Sequence, residues 1–185
     1  MIEDVLRDSE ERMKKSVEAA ERELASIRTG HAHVGLVDHV RVDYFGSSLP
    51  INQMATVSAP EARLLTIQPW DRTAMTAIEK AILASDLGLT PSNDGTIIRL
   101  SIPPLTEQRR KDMIKLVHSR VEDSRVAVRN VRRDGMEHLK RLVQNKEASE
   151  DQQHNAQETL QKLTDRYVAE IDGRGKAKEA ELLEV

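Results

Sequence analysis

Residues 106–145 read TEQRRKDMIKLVHSRVEDSRVAVRNVRRDGMEHLKRLVQN. No proline interrupts them, and Met113, Val117, Val121, Ser124, Val128, Val131, Gly135, Leu139 and Leu142 recur every three or four residues. That spacing lays one stripe of apolar and small side chains along a helix. Thr106 offers an N-cap oxygen, and Glu107 puts a carboxylate beside the dipole-positive end. At 1.5 Å per residue the helix runs roughly 60 Å. So long a stripe needs other helices to cover it.

Two more stripes supply that cover. One runs through Ile2, Leu6, Ser9, Met13, Ser16, Ala20, Leu24 and Ile27. The other runs through Ala156, Leu160, Leu163, Tyr167 and Ile171 and continues to Leu182, after a capping box at Ser149-Glu150-Asp151-Gln152. The period sits near 3.5, which predicts an elongated antiparallel three-helix bundle with left-handed packing.

Between the first and second stripes the chain changes character. All six prolines and five of the eight glycines fall between residues 30 and 104. Val40, Val42 and Tyr44 alternate with polar residues before Gly46-Ser47-Ser48. Leu64-Leu65-Thr66-Ile67 and Thr96-Ile97-Ile98-Arg99-Leu100 read as short strands, the latter entered through Asn93-Asp94-Gly95. Met75, Ile78, Ile82 and Leu83 mark a helix over roughly 71–86, ended by Gly88. The fold class is therefore α+β. Residues 1–29 and 106–185 form the bundle, and 30–105 form a small inserted β/α/β domain. A two-stranded hinge at 29–34 and 102–106 joins them, with Gly30 permissive on one side and Pro103-Pro104 stiff on the other.

Composition narrows the function. Of 185 residues, 32% are charged and 2% aromatic, the four rings being Tyr44, Phe45, Trp70 and Tyr167. An aliphatic core of this kind suits helix packing better than a ligand-stacking pocket. The absence of cysteine excludes disulfides, thiolate metal sites and a thiol nucleophile. Apolar runs are far shorter than the ~20 residues of a membrane span, and the acidic Met1-Ile2-Glu3-Asp4 does not open a secretory signal. The expectation is a cytoplasmic protein that does not engage a membrane.

The net charge of −3 conceals a strongly basic segment. Residues 107–141 carry 11 cations against six anions, while every other stretch is acidic. Arg125, Arg129, Arg132 and Arg133 fall on one side of the helix, and Arg109 and Arg110 add charge near its start. Every cation from 120 to 133 is arginine, whose planar fork suits phosphate. A solvated face paired with Glu122 would have the same spacing. Without interleaved aromatics, the face suits the backbone of folded RNA better than stacking on single strands.

Catalytic chemistry is hard to place. Gly173-Arg174-Gly175-Lys176 lacks phosphate-loop spacing, and His31 and His33 lack a third metal ligand. The chain is expected not to be an enzyme and to need no cofactor, metal or small-molecule substrate.

Several segments together resemble the bacterial ribosome recycling factor family over the whole length. They are Ile27-Arg28-Thr29-Gly30, Tyr44-Phe45-Gly46, Ser85-Asp86-Leu87-Gly88-Leu89, Ile102-Pro103-Pro104-Leu105-Thr106-Glu107, Val126-Ala127-Val128-Arg129-Asn130-Val131-Arg132-Arg133 and Glu179-Ala180-Glu181-Leu182. The resemblance implies an L-shaped, tRNA-like outline. It also implies a role after translation termination. With elongation factor G and GTP hydrolysis, the family splits the post-termination ribosome and releases messenger and deacylated tRNA.

By position, Arg132 matches the arginine that the family places on 23S RNA of the large subunit. Arg129 and Arg133 match its neighbours, and Arg28 the arginine closing the first helix. The family continues Arg-Thr-Gly-Arg-Ala-Ser/Asn-Pro, whereas this chain has Arg28-Thr29-Gly30-His31-Ala32-His33-Val34. One cation and one proline are lost from the hinge, whose residues are Thr29, Gly30, His31, Val34, Pro103, Pro104 and Leu105. The expected partners are the large subunit and elongation factor G, met by a monomer. The alternative is a helical coiled-coil scaffold or chaperone-like protein, which would self-associate through exposed stripes.

Overall fold

The computed structural model describes residues 1–184. Three long helices, α1 (Ile2–Ala25), α3 (Glu107–Gln144) and α4 (Glu150–Leu183), pack on one another as one unit. The stripe of α3 is buried as its spacing predicts, from Val117 to Leu142. In α1 the buried set is Val5, Ser9, Met13, Val17, Ala20 and Leu24, so Val5 and Val17 face inward while Leu6 and Ser16 are only half-buried. In α4 Thr164 replaces Leu163 on the inner face, its hydroxyl donating to the Leu160 carbonyl at 2.8 Å. That bond to the preceding turn satisfies the hydroxyl inside an apolar layer.

Two glycines let helices approach closely. A Cβ at Gly135 would lie 2.7 Å from Leu160 Cδ2 and 2.9 Å from Ser9 Oγ. At Gly175 it would lie 2.6 Å from Val121 Cγ2. Ser149 caps α4 by accepting from the Gln152 N–H at 3.1 Å, and the Gln152 side chain accepts from the Ser149 N–H at 2.9 Å. That is the capping box expected there.

The inserted unit, Gly30–Thr106, has its own core. Thr106, read above as the start of the second bundle segment, falls with this unit, and α3 begins at Glu107. β1 (Arg41–Tyr44) and β2 (Ser47–Pro50) form a hairpin. β3 (Ala55–Glu61), β4 (Leu64–Pro69), β5 (Ser92–Asn93) and β6 (Ile98–Ser101) form an antiparallel sheet in the order β3-β4-β6-β5. Leu65, Ile67, Ile98 and Leu100 point inward and meet Ile78 and Ile82 of α2 (Met75–Ala84) in the same core.

The unit thus has more strands than the β/α/β reading anticipated. β3 escapes that reading because it carries Pro60 and is mostly exposed, as an edge strand tolerates. Thr96 and Ile97 stand outside β6, their N–H groups both held by Asp94 Oδ1. The helix starts at Met75 rather than near 71 because Asp71 caps a short 3-10 turn over Arg72–Ala74, accepting from the Thr73 N–H at 3.0 Å. Among the described residues no helix is long and apolar enough to cross a membrane.

Candidate nucleic-acid interface

At 100° per residue, Arg132, Arg125, Arg129 and Arg133 span an arc of about 100° on α3. Their surroundings separate them. Arg125 Nε donates to Asp172 Oδ1 of α4 at 2.6 Å, and its Nη1 donates to Glu122 at 3.0 Å. Asp172 first and Glu122 second raise its pKa, so it is a charged strut between helices. Arg129 is exposed and lies 3.5 Å from Glu122. The pairing with Glu122 that a solvated face would show is therefore present for both.

Arg132 is half-buried, and its Nη1 donates to Gln161 Oε1 of α4 at 2.8 Å. Gln161 Nε2 donates in turn to Asp165 Oδ1 at 2.9 Å. Arg133 is exposed and makes no hydrogen bond or ion pair among the described residues. Exposed Lys115 stands about five turns before Arg133 in the same sector, and exposed Lys140 extends the row beyond it. Both lysines lie outside the arginine cluster of 125–133 and are legible in the sequence only as part of the basic charge of 107–141.

The remaining predicted cations are scattered. Arg109 is exposed in the first turn of α3, and Arg28 is exposed beyond the end of α1. Arg110 is half-buried, its Nε buried without a hydrogen-bond partner among the described residues. Gly173-Arg174-Gly175-Lys176 lies inside α4, where Arg174 pairs with Glu21 and Glu170 and Gly175 faces Val121.

At the connecting segments, Gly30 has φ 78°, and a Cβ there would come within 3.2 Å of the Leu105 backbone nitrogen. Two neighbouring carbonyls tie both entering segments to the β3–β4 turn. Ala62 accepts from the Ala32 N–H at 2.6 Å, and Arg63 from the Ile102 N–H at 2.9 Å. Val34 opens a 3-10 turn capped by His33, whose Nδ1 accepts from the Gly35 N–H at 3.0 Å. Val34 is thus built into the inserted unit, and among the described residues the entering segment's stretch without such backbone bonds shortens to Thr29, Gly30 and His31.

A family model described as ribosome recycling factor matches residues 20–183. The chain belongs to the ribosome recycling factor family. A ribosome recycling factor of Thermomicrobium roseum is 54% identical over 185 residues, covering 100% of both chains. One of Nitratidesulfovibrio vulgaris is 56% identical over 184 residues, covering 100% of this chain and 99% of that protein. The solution structure of a ribosome recycling factor superposes with a TM-score of 0.81 at 44% identity, covering 100% of this chain and 98% of that one. A second structural relative has a TM-score of 0.68 at 44% identity, with full coverage of both chains. It comes from models of the T. thermophilus ribosome recycling factor and the E. coli elongation factor G bound to the E. coli post-termination complex.

Proposed function

We propose that this family member, with elongation factor G and GTP hydrolysis, splits the post-termination ribosome into subunits and releases messenger and deacylated tRNA. The observation that carries the reading furthest is the row Lys115, Arg129, Arg133 and Lys140 on the outer face of α3, with Arg132 oriented beside it. A rigid helix presenting spaced cations suits the phosphate geometry of folded RNA. The bundle grips 23S RNA of the large subunit through Arg132, Arg129 and Arg133. Arg28, Arg109 and Arg110 supply peripheral charge, and Arg125 holds α3 on α4.

The inserted unit meets elongation factor G and swings about the hinge. Gly30 and its neighbours take up the rotation, while Pro103 and Pro104 act as a strut. No bond in a substrate is made or broken by the chain itself, so its role is mechanical, in the cytoplasm and as a monomer. The scaffold alternative needs an exposed apolar stripe, and the three stripes are spent on one another.

Co-sedimentation with purified large subunits tests the grip. Binding that weakens steeply between low and moderate salt supports it, because neutralised phosphates release counterions. A flat response contradicts it.

A further inference from the structure

The 3-10 turn over Val34–Val37 takes its cap from outside the usual set of capping side chains. Ser, Thr, Asp and Asn are preferred there, because each offers an oxygen that accepts the free N–H. Here the acceptor is Nδ1 of His33, 3.0 Å from the Gly35 nitrogen. An imidazole accepts through one nitrogen while it is neutral; once charged, both of its nitrogens donate. The cap therefore requires the neutral ring with its proton on Nε2. Imidazole is also the side chain whose charge ordinarily changes between about pH 5 and 8.

The turn depends heavily on this one residue. His33 and Val34 are exposed, and Val37, 1% exposed, is the first fully buried residue beyond them. Before the turn, the Ala32 N–H is held by the Ala62 carbonyl; within it, the Leu36 N–H is held by the His33 carbonyl at 3.0 Å. His33 thus closes the turn with both its carbonyl and its ring. The second connecting segment has no such dependence. Its Ile102 N–H goes to the Arg63 carbonyl, and Pro103 and Pro104 follow.

A proton on His33 has a place to go. Oδ2 of Asp38 lies 3.4 Å from the point where a Gly35 Cβ would stand, and His33 Nδ1 lies 2.9 Å from the same point. The two side chains close over one spot that Gly35 leaves open. A charged ring drawn onto that carboxylate leaves the Gly35 N–H without its acceptor. The other charged groups of the adjoining elements are His31 before the cap, Glu61 at the end of β3, which packs on the turn, and Arg63 in the β3–β4 turn. Elsewhere in the unit a proton acts in the opposite sense. His39 Nε2 stands 2.9 Å from Asp86 Oδ1, so charging that ring makes the pair ionic. The carboxylates of Asp71 and Asp94 are held below the ordinary 3.8 and keep their bonds over the same range.

We infer that His33 is a proton-operated catch on the entering strand. Neutral, it folds residues 33–36 onto the inserted unit; protonated, it releases them, and the freely rotating stretch that begins at Thr29 extends toward Val37. Mild acid then widens the range of orientations that the inserted unit takes in the free protein, while the body of that unit holds.

The full-length chain tests this at pH 8 and pH 5 with two readouts. One is the protection of the Gly35 amide against hydrogen exchange, referred to the intrinsic rate at each pH. The other is the spread of distances between fluorophores on cysteines introduced by Lys80→Cys and Lys162→Cys, both exposed positions in a chain without cysteine. From pH 8 to pH 5 the protection should fall about fivefold, the equilibrium factor of losing one N-cap, and the spread should widen. His33→Asn keeps an accepting oxygen that does not titrate, so both readouts should be the same at the two pH values. His33→Ala has no acceptor and should show low protection and a wide spread already at pH 8. A response that persists in His33→Asn belongs to another group, such as His31, and overturns the proposal. Unchanged Gly35 protection in the unaltered chain overturns it too, as does lost protection without a wider spread. Should His33→Ala fail to fold, His33→Asn decides alone.

Discussion

Arg132 of α3 is held by Gln161 of α4 at 2.8 Å, and Gln161 by Asp165 at 2.9 Å, so a relay across two helices sets the direction of one guanidinium. Among the described residues the Gln161 oxygen is the acceptor that Arg132 meets. Arg132→Ala should lower large-subunit affinity by about 1–3 kcal/mol, the scale of a charge-assisted contact, while unfolding free energy changes by about 1 kcal/mol at most. Gln161→Ala should lower affinity by a smaller amount in the same direction. Intact affinity with collapsed stability would make Arg132 structural.

Arg125 should behave in the opposite way. It ties α3 to α4 through Asp172, and both side chains are about two-thirds covered. Arg125→Ala should cost about 1–2 kcal/mol in urea unfolding, the scale of a hydrogen-bonded charge pair. It should weaken subunit binding less than Arg132→Ala does.

Two glycines of α4 should respond with opposite signs to alanine. Nothing lies within 4 Å of a Cβ at Gly173, so Gly173→Ala should stabilise by roughly 0.5–1 kcal/mol through helix propensity. At Gly175 the Cβ would stand 2.6 Å from Cγ2 of Val121, a branched side chain with little freedom to turn away. Gly175→Ala should destabilise by about 1–3 kcal/mol, overriding that propensity. Thermal melts of the two variants compare them directly.

Acid should weaken the inserted unit through two carboxylates. The Ile97 N–H, then Arg99, then the Thr96 N–H hold Asp94 well below its ordinary 3.8. The Tyr44 hydroxyl, then the Thr73 N–H, lower Asp71 from the same value. A depressed carboxylate stabilises the fold above its unfolded pKa and loses that contribution as pH falls through the folded one. Stability of this unit, followed by the fluorescence of Trp70, should not decline through these groups until about pH 4 and should fall below it. In Asp94→Asn that fall should be shallower, because one titrating group is gone.

The bundle was legible because its signal is periodic. The α3 stripe needs no partner to be recognised, and the Ser149 capping box is local. Val5 and Val17 stand beside Leu6 and Ser16 of the predicted stripe, and packing on α3 and α4 decides which pair faces inward. β3 was invisible because the sheet edge lets it be polar and carry Pro60. In the candidate site, arginine positions could be read from one helix. Their division into the strut Arg125 and the oriented Arg132 could not, since Asp172 and Gln161 lie on another helix whose register depends on Gly135 and Gly175. Phe45 has a positive φ of 50°, a backbone angle that the Tyr44-Phe45-Gly46 motif does not itself announce.

Light scattering of purified post-termination ribosomes, mixed with the full-length chain, elongation factor G and GTP, reads subunit splitting itself. Scattering should fall as subunits separate, should require all three additions, and should fall about tenfold or more slowly when Arg132→Ala is used below saturation. Undiminished scattering with the unaltered chain, or equal rates for both chains, would contradict it.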